Sequence, residues 1–375
     1  AFVTMHSDAC RATHVRGEQS PALLDLRMGC LERRRQDLQA LTALLLRADA
    51  AVLEKAVQAG LSLPAVDLCA DTRALSAPLS LPEDGAGRAR AQALYQTLAH
   101  LQVAGQASRY QALQAQAQQA VADAERLGHQ PLIAEARYLW GDIQQLSGDQ
   151  EGAQETLFRA AVAGVAGRHH SLAARAWALL AVVVGYQQRR PEQGLMWGQL
   201  ARAAIDASGG DERIKAQLLN SLGNIYTEAR RYTQAEAALR EALALHRRLL
   251  GPQGLEVGDD LNDLGLALRY QDRLDEALLS HRQALEIQER ALGPQHPALG
   301  TLLRNIALVL REQHRYDEAL GYLERARALW QRALGAAHQK TLMARTSMAV
   351  VHERAGDLAG AQRAFEEILA LRTAS

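Results

Sequence analysis

The sequence has few residues of several types, and each shortage excludes a class of protein. Aromatic residues make up only 4% of the chain, and runs of β-branched residues are rare. Alanine, leucine, glutamine, arginine and glutamate are abundant instead, and these residues favour helices that pack closely together. The composition therefore predicts an all-α protein.

Long apolar runs and net charge are also missing. The longest uninterrupted apolar run extends from Trp177 to Gly185, far short of the roughly 20 residues that a membrane-spanning helix needs. The 42 basic residues are balanced by 42 acidic ones, so the chain lacks the positive field that attracts nucleic acid. We expect neither membrane insertion by this segment nor a nucleic-acid partner.

Cysteine is limited to Cys10, Cys30 and Cys69, and no two of them have C-x-x-C spacing. This spacing argues against a zinc site or a thioredoxin-type redox site. Two interpretations remain. The three residues are buried free thiols, or two of them form a disulfide and one thiol is left over, which would fit an oxidising compartment. The sequence does not choose the pair.

Motifs for catalysis are absent from the chain. It contains no H-E-x-x-H, no G-x-S-x-G and none of the kinase signatures. His169 and His170 are adjacent and are predicted to lie in a loop or at a helix end. Residues 83–90, "EDGAGRAR", lack the lysine of a phosphate-binding loop and are predicted to belong to a linker. We expect no active site, metal or cofactor in this segment.

The chain does contain an internal repeat. Gly251, Gly293 and Gly335 are spaced 42 residues apart, and each follows a stretch with helical apolar periodicity. Glycine at such a place predicts a helix end, because it adopts the left-handed conformation at little cost. Small residues recur at the same step in two series, which are Gly223, Gly265, Ala307, Ala349 and Ala235, Ala277, Ala319, Ala361. They predict contacts between the two helices of a hairpin.

The repeat continues towards the N-terminus with a less regular sequence pattern. Gly141 and Ala153 are twelve residues apart, as are Gly223 and Ala235, and Val182 and Gly194 have the same relation. A weaker repeat surrounds Tyr110. The pattern predicts seven hairpins between about residues 88 and 372, with helix boundaries known to ~2–4 residues.

The first eighty residues do not follow the repeat. Ser20 and Pro21 predict the start of a long helix from about 21 to 47, and residues 53–71 predict a shorter helix followed by a stretch broken by proline. The triplet of Arg33, Arg34 and Arg35 is predicted to be a solvated face. The predicted organisation is an N-terminal helical segment at 1–80, a linker at 81–90, divergent repeats at 91–207 and regular repeats at 208–375.

The regular part resembles the tetratricopeptide repeat. The residues that match its W/L-x-x-L-G-x-x-Y and A-x-x-x-F-x-x-A pattern are Leu219, Leu222, Gly223, Tyr226, Ala235, Leu239 and Ala242. The 42-residue step and the "LGPxHP" link are similar to the repeats of kinesin light chains. The resemblance implies a right-handed solenoid of helix hairpins whose concave surface binds other chains.

In tetratricopeptide repeats the first helix of each hairpin lines the concave side. Positions three before and four after the small residue lie two turns apart and share a face. These positions and their neighbours give the groove candidates, which are Asn220, Asn224, Thr227, Asn262, Arg269, Tyr270, Arg304, Asn305 and Arg311.

The chemistry of these candidates predicts the partner. Asparagine can clamp a peptide backbone and arginine can hold a carboxylate or phosphate, so we expect a protein or peptide partner with an acidic or phosphorylated segment. The alternative is a solvated face whose side chains pair within the helix, as Arg311 could do around Glu312.

Residues 9–71, followed by "LPEDG" and the repeats, resemble the C-terminal sensor region of transmembrane serine/threonine protein kinases of myxobacteria and similar bacteria. The resemblance implies a ligand-binding or scaffold region on the extracytoplasmic side of a membrane. ATP and Mg²⁺ would then belong only to a separate kinase domain. The alternative is a free-standing, soluble and cytoplasmic adaptor.

Overall fold

A computed structural model describes residues 2–48, 85–106 and 110–373, together with short stretches between 52 and 70. This part of the chain contains helices and no strand, which confirms the all-α prediction. It divides into two compact units, residues 1–218 and residues 219–375, here called unit 1 and unit 2. The predicted domain boundaries at 80, 90 and 207 stay predictions.

Unit 1 begins with an N-terminal segment of helices. Helix α1 spans Phe2–His14, helix α2 spans Pro21–Leu45, and a short 3-10 helix spans Val66–Ala70. Ser20 caps α2 by accepting a hydrogen bond from the Leu23 amide, and Pro21 occupies the first turn, as the sequence predicts. Most of the shorter helix predicted within residues 53–71 falls outside the described residues.

A disulfide joins Cys30 of α2 to Cys69 of the 3-10 helix, with the two Cα atoms 5.6 Å apart, while Cys10 is a free thiol. The second of the two interpretations of the cysteines is therefore the one that the structure adopts. Beside the bond lies Arg27, which is only 4% exposed. Its guanidinium donates to the Cys69 carbonyl at 3.3 Å and to the Asp8 carboxylate at 3.0 Å, and so connects α1, α2 and the 3-10 helix.

The arginine triplet of α2 is not the solvated face that the sequence predicts. Only Arg35 fits that description, since it is exposed and pairs with Glu32 one turn away. The Arg34 side chain is 17% exposed and pairs with Asp37 at 2.9 Å, and Arg33 lies over the ring of Tyr95 at 5.7 Å. The prediction fails because helix α3 packs against α2 and covers part of this face.

Three hairpins complete unit 1. They are α3 (Gly85–Gln106) with α4 (Tyr110–Leu127), α5 (Gln130–Leu146) with α6 (Gln150–Ala166), and α7 (His170–Ala181) with α8 (Pro191–Ala207). Helix α3 begins inside the residues predicted as a linker. His169 caps α7 by accepting from the Leu172 amide, so this histidine lies at a helix end as predicted.

Unit 2 contains the regular repeats. Its hairpins are α9 (Glu212–Glu228, of which unit 2 includes residues from 219) with α10 (Tyr232–Leu250), α11 (Leu255–Arg269) with α12 (Leu274–Leu292), α13 (Leu299–Glu312) with α14 (Tyr316–Leu334), and α15 (Gln339–Arg354) with α16 (Leu358–Thr373). Gly251, Gly293 and Gly335 follow α10, α12 and α14 with φ of 79°, 86° and 95°, which confirms them as helix ends. The described residues thus form seven hairpins, as the repeat predicts.

The small residues mark helix contacts, with one change of register. A Cβ on Gly223 would lie 2.4 Å from Cγ of the buried Leu239, so only a small residue fits there. In the α7–α8 hairpin the sequence placed this contact at Val182, but Gly194 instead meets Gly185 and Ala181. Gly185 lies in a π-helical turn at Val182–Gln187, and such a turn departs from the α-helical register on which the prediction depended.

The glycines give a paired prediction of opposite sign. Gly194→Ala is expected to destabilise unit 1 by about 2 kcal/mol or more, because the new Cβ would lie 2.4 Å from the Gly185 Cα and 2.9 Å from the Ala181 carbonyl oxygen. Gly321→Ala, on an exposed position of α14 with no atom within 4 Å, should stabilise unit 2 by about 0.5–1 kcal/mol. Thermal and urea denaturation followed by circular dichroism measure both. Equal changes in the free energy of unfolding for the two substitutions would contradict the close contact of Gly194 with Gly185 and Ala181.

Candidate functional site

The predicted groove residues lie on successive first helices of unit 2. Asn220, Asn224 and Thr227 are on α9, Asn262 and Arg269 on α11, and Arg304, Asn305 and Arg311 on α13, while Tyr270 directly follows α11. Tyr270 is exposed and the other eight are half-buried. Hydrogen bonds connect side chains on neighbouring helices that are about one repeat apart in sequence. We call the resulting row the polar strip. Its asparagine end comprises Asn220, Asn224, Asn262 and Asn305, and its arginine end comprises Arg269, Arg304 and Arg311.

The asparagine end is organised by two aspartates of α11. Asn220 Nδ2 donates to Asp260 Oδ1 at 2.9 Å and to Asp263 Oδ2 at 3.0 Å, and Asn224 Nδ2 donates to Asp263 Oδ2 at 2.8 Å. Asn262 Nδ2 donates to Asp263 Oδ1 at 3.1 Å. The carboxylate of Asp263 therefore accepts hydrogen bonds from three side-chain amides.

This arrangement fixes which atoms the asparagines present. An ionised carboxylate only accepts hydrogen bonds, so the amide nitrogens must point at Asp263 and the carbonyl oxygens point away. Asn305 Nδ2 is also engaged, with Asn262 Oδ1 at 2.9 Å. Within the described residues Asn224 Oδ1 and Asn305 Oδ1 accept no hydrogen bond. The asparagine end thus offers acceptors, and not the donor-and-acceptor clamp that the sequence suggested.

Asp260 and Asp263 were not identified from the sequence. Asp260 is fully buried and accepts from Asn220 and from His246, whose Nδ1 is 2.7 Å away. Burial raises the pKa of Asp260 and that of Asp263. At Asp263 the three amide hydrogen bonds lower the pKa, but the effect of burial is larger. One feature of the sequence could have identified this contact. Asn220 and Asp263 are 43 residues apart, which is close to the repeat step and places them on adjacent first helices.

At the arginine end two guanidinium groups share one carboxylate, and a third donates to a hydroxyl group. Arg269 Nη1 is 3.2 Å and Arg311 Nη2 is 3.4 Å from Glu312 Oε1, and Arg304 Nε donates to Ser347 Oγ of α15 at 3.2 Å. In the described part of the chain, Glu312 is the only carboxylate that pairs with any of the three. Burial, followed by the positive charges of Arg269 and Arg311, lowers the pKa of Arg304. The arginine end therefore has an excess of positive charge.

Two tyrosines lie next to the arginine end of the polar strip. The Arg269 guanidinium lies over the Tyr270 ring at 4.9 Å, and Tyr270, which is 47% exposed, stacks on Tyr232 with ring centroids 5.1 Å apart. An exposed aromatic face beside arginines can pack against an apolar or aromatic side chain. Thr227 does not join the row, since its hydroxyl donates to the Gly223 carbonyl of its own helix.

A histidine lies beneath the arginine end. His281 of α12 is fully buried against Gly265, and neither ring nitrogen has a hydrogen-bond partner. Burial, and to a lesser degree the charge of Arg269, lowers its pKa to about 3. The equivalent positions one repeat earlier and later carry the buried Leu239 and Leu323. His281 is therefore a polar residue at an apolar position of the repeat.

Two general features limit the chemistry of the chain. The described residues contain no group of three His, Cys, Asp or Glu side chains that could hold a metal ion. Across the same residues, every helix is too short or too polar to traverse a bilayer.

The alternative interpretation, in which the groove candidates pair within their own helix, holds in part. Arg311 does pair with Glu312, but most contacts of the polar strip join different helices. Contact of the nine residues with a partner stays a prediction.

Comparison with known proteins identifies the repeat. The tetratricopeptide repeat family matches residues 215–290, 261–318 and 298–374, so this part of the chain consists of tetratricopeptide repeats and the predicted fold is confirmed. The repeats form a solenoid suited to protein binding, and no catalytic domain is evident in the described residues. None of the curated proteins matches the chain significantly.

Two solved structures share the fold at low sequence identity, and a third is similar over a smaller part of the chain. A Rap protein complexed with Competence and Sporulation Factor is 13% identical with a TM-score of 0.57, and the match covers 91% of this chain and 88% of that one. The quorum sensor NprR from B. thuringiensis, in its apo form, is 14% identical with a TM-score of 0.57, covering 91% and 97%. A kinesin light chain with nearly identical TPR-like repeats from Podosopora anserina is 18% identical with a TM-score of 0.45, covering 55% and 93%.

Proposed function

We propose that the polar strip of unit 2 binds an extended segment of another protein, with an acidic side chain of that segment at the arginine end. The observation that carries this proposal is the excess of guanidinium groups. Arg269 and Arg311 share the carboxylate of Glu312, and Arg304 donates to the Ser347 hydroxyl and pairs with no carboxylate of the described residues. They are half-buried, where a charge-assisted hydrogen bond is stronger than in water. A carboxylate or a phosphoryl group from the partner would complete this end.

The asparagine end defines a second requirement for the partner. Its unoccupied groups are the carbonyl oxygens of Asn224 and Asn305, because the amide nitrogens are held by neighbouring side chains. The backbone N–H groups of an extended peptide are suitable donors to these oxygens. The bound segment would therefore present donors to Asn224 of α9 and Asn305 of α13, and an anionic group to the arginines of α11 and α13.

The solved neighbours support this kind of use. The Rap protein with the same fold is complexed with Competence and Sporulation Factor, so a helical-repeat protein of this architecture accommodates a bound factor. Binding of this type requires no metal or cofactor, and we propose none for this segment.

Substitution of two arginines tests the proposal. Arg304→Gln with Arg311→Gln should lower the affinity for acidic peptides about 100-fold, because each substitution removes a charge-assisted hydrogen bond. Glutamine is shorter than arginine but is polar and favours helices, so the helices should stay folded. The probe is a phage-displayed library of random dodecapeptides selected on the whole chain. Sequences from the wild type should be enriched in Asp and Glu, and the best of these should then be measured by fluorescence anisotropy.

Arg290→Gln is the matched control, because Arg290 is an exposed arginine of α12 that pairs with Glu286 outside the polar strip. This variant should bind the selected peptides like the wild type. A phosphoserine in place of the selected acidic residue distinguishes a phosphoryl ligand from a carboxylate. Peptides without acidic enrichment, or equal binding by the double variant, would exclude this function for the arginine end.

We further propose that this region is the extracytoplasmic sensor or scaffold part of a bacterial serine/threonine protein kinase. The basis is the resemblance of residues 9–71, and the Cys30–Cys69 disulfide supports it, since structural disulfides persist in oxidising compartments. The test is peptide mapping of the endogenous full-length protein. A kinase domain and a membrane span before Ala1 would support the proposal, whereas a start close to Ala1 would leave the alternative, a free-standing adaptor with the same polar strip.

A further inference from the structure

The N-terminal segment of unit 1 contacts first helices at two places that are distant in the chain. Helix α2 packs against α3, where the Arg33 guanidinium lies over the Tyr95 ring at 5.7 Å. Asp67 of the 3-10 helix pairs at 3.4 Å with Arg213, in the part of α9 that belongs to unit 1. Consecutive first helices pack side by side from α3 through α5 to α7. A segment that contacts both Tyr95 and Arg213 therefore runs along this row of first helices.

The Cys30–Cys69 disulfide joins the two contact points. Arg33 lies one turn after Cys30 in α2, and Asp67 lies in the 3-10 helix together with Cys69. The ion pair of Asp67 is weak by itself, because its side chain is 66% exposed and exposed ion pairs contribute less than about 1 kcal/mol. The covalent bond thus makes the two contacts act together. We call α2, the 3-10 helix and the disulfide the strap.

Glu135 of α5 marks a place where the row of first helices is covered. It stands three repeats before Asp259 of α11, which lies one turn before Asn262 on the same helix face. Asp259 is exposed, and so are Gln217 and Thr301 at the same position of α9 and α13. Glu135 is half-buried instead, so a feature of unit 1 that the regular repeats lack restricts access to it.

The charges around Glu135 indicate that this feature is the strap. Burial, followed by the charge of Glu135, raises the pKa of Tyr95, and Arg33 of the strap lies over the Tyr95 ring. Burial also raises the pKa of Glu135, and among the charges that oppose this rise the largest effect is that of Arg33. Arg33, Tyr95 and Glu135 are therefore neighbours, and Arg33 lies where α3 and α5 meet.

We propose that the strap closes over the first helices of unit 1 while the Cys30–Cys69 bond is intact, and that reduction of this bond opens it. A dithiol supplies the two electrons and two protons that convert the bond into two thiols, and the dithiol itself becomes a disulfide. Each half of the strap then depends on its own weak contacts and leaves the row. Unit 1 thus exposes the helix face around Glu135 only in the reduced chain.

Carboxyl footprinting of the whole chain tests the strap. A carbodiimide couples glycine ethyl ester to accessible carboxylates, and mass spectrometry of the peptides gives the rate at each site. Glu135 should be labelled about tenfold faster in Cys30→Ala with Cys69→Ala than in the oxidised wild type, because opening exposes it. The wild type treated with a dithiol should behave like this variant. Asp259, which is exposed and belongs to unit 2, is the internal control and should be labelled at one rate throughout.

A second variant opens the strap with the disulfide in place. Arg33→Gln with Asp67→Asn removes both contacts with the first helices, so Glu135 should again be labelled faster than in the wild type. Arg35→Gln is the matched control, because Arg35 is an exposed arginine of α2 that pairs with Glu32 of its own helix. This variant should be labelled at Glu135 like the oxidised wild type.

The amides of α5 should keep their protection from hydrogen exchange in every variant. Faster labelling of Glu135 together with loss of this protection would mean that unit 1 unfolds, and would overturn the proposal. So would an unchanged rate at Glu135 in either the cysteine variant or the Arg33 and Asp67 variant. Arg175 of α7, which lies over the Tyr138 ring at 4.5 Å, would then be the residue that restricts access to Glu135.

Discussion

Replacing His281 with leucine is expected to stabilise unit 2, and the gain should increase as the pH falls. At neutral pH the substitution removes two unpaired ring nitrogens from the core, and a buried polar group without a partner costs about 1–3 kcal/mol. Leucine should fit, because the repeat already places Leu239 against Gly223 in the equivalent contact. The substitution thus replaces an exceptional residue with the one that the repeat uses.

The pH dependence follows from the difference between the folded and unfolded pKa of His281. Burial lowers the pKa from 6.5 to about 3, so below pH 6.5 the unfolded chain binds a proton that the folded chain does not. Stability from this residue is fully present above pH 6.5 and is lost as the pH falls towards 3. Between pH 7.5 and 5 the wild type should lose about 2 kcal/mol that the leucine variant retains.

Urea denaturation of both proteins at pH 7.5, 6 and 5 measures this difference. His100→Leu, at an exposed position of α3, is the matched control and should show the same pH profile as the wild type. A constant difference between His281→Leu and the wild type across the three pH values would show that His281 is not held neutral in the folded chain. Lower stability of the variant at every pH would show that the ring makes contacts that leucine cannot replace.

Reduction of the Cys30–Cys69 disulfide is expected to release the N-terminal segment of unit 1. The bond closes a loop with a sequence separation of 39 residues, and cross-links of this length stabilise by about 4 kcal/mol in the chain-entropy account. It also fixes the Cys69 carbonyl, to which the buried Arg27 donates. Loss of the bond should therefore expose Arg27 and separate α1 and α2 from the 3-10 helix.

Hydrogen exchange measured by mass spectrometry, with and without a reductant, tests this prediction. Amides of α1 and α2 should exchange at least 100-fold faster after reduction, while those of α11 to α14 in unit 2 should keep their protection. Cys10→Ser should behave like the wild type, because Cys10 is not in the bond. If Cys30→Ala with Cys69→Ala left the protection of α2 unchanged, packing around Arg27 alone would hold the segment together.

The polar strip shows how far the sequence predicts a site of this kind. The repeat step and the helical period placed Asn262, Arg269 and Arg304 on first helices facing one side, and the structure joins them to side chains of the neighbouring helices. The roles of Asp260 and Asp263 were not predicted, because each acts on residues some 40 positions away. Periodicity identifies the face of a helix, but it does not say which amide meets which carboxylate.

The sequence by itself determined the helix boundaries and the small-residue contacts of the regular repeats. Those features depend on local rules, such as the conformation open to Gly251, Gly293 and Gly335 and the space left at Gly223. The tertiary structure alone decided which cysteines pair, which arginines of α2 are covered, and which residues Gly194 meets. These outcomes depend on the distances between segments remote in the chain, and such distances exist only once the helices have packed.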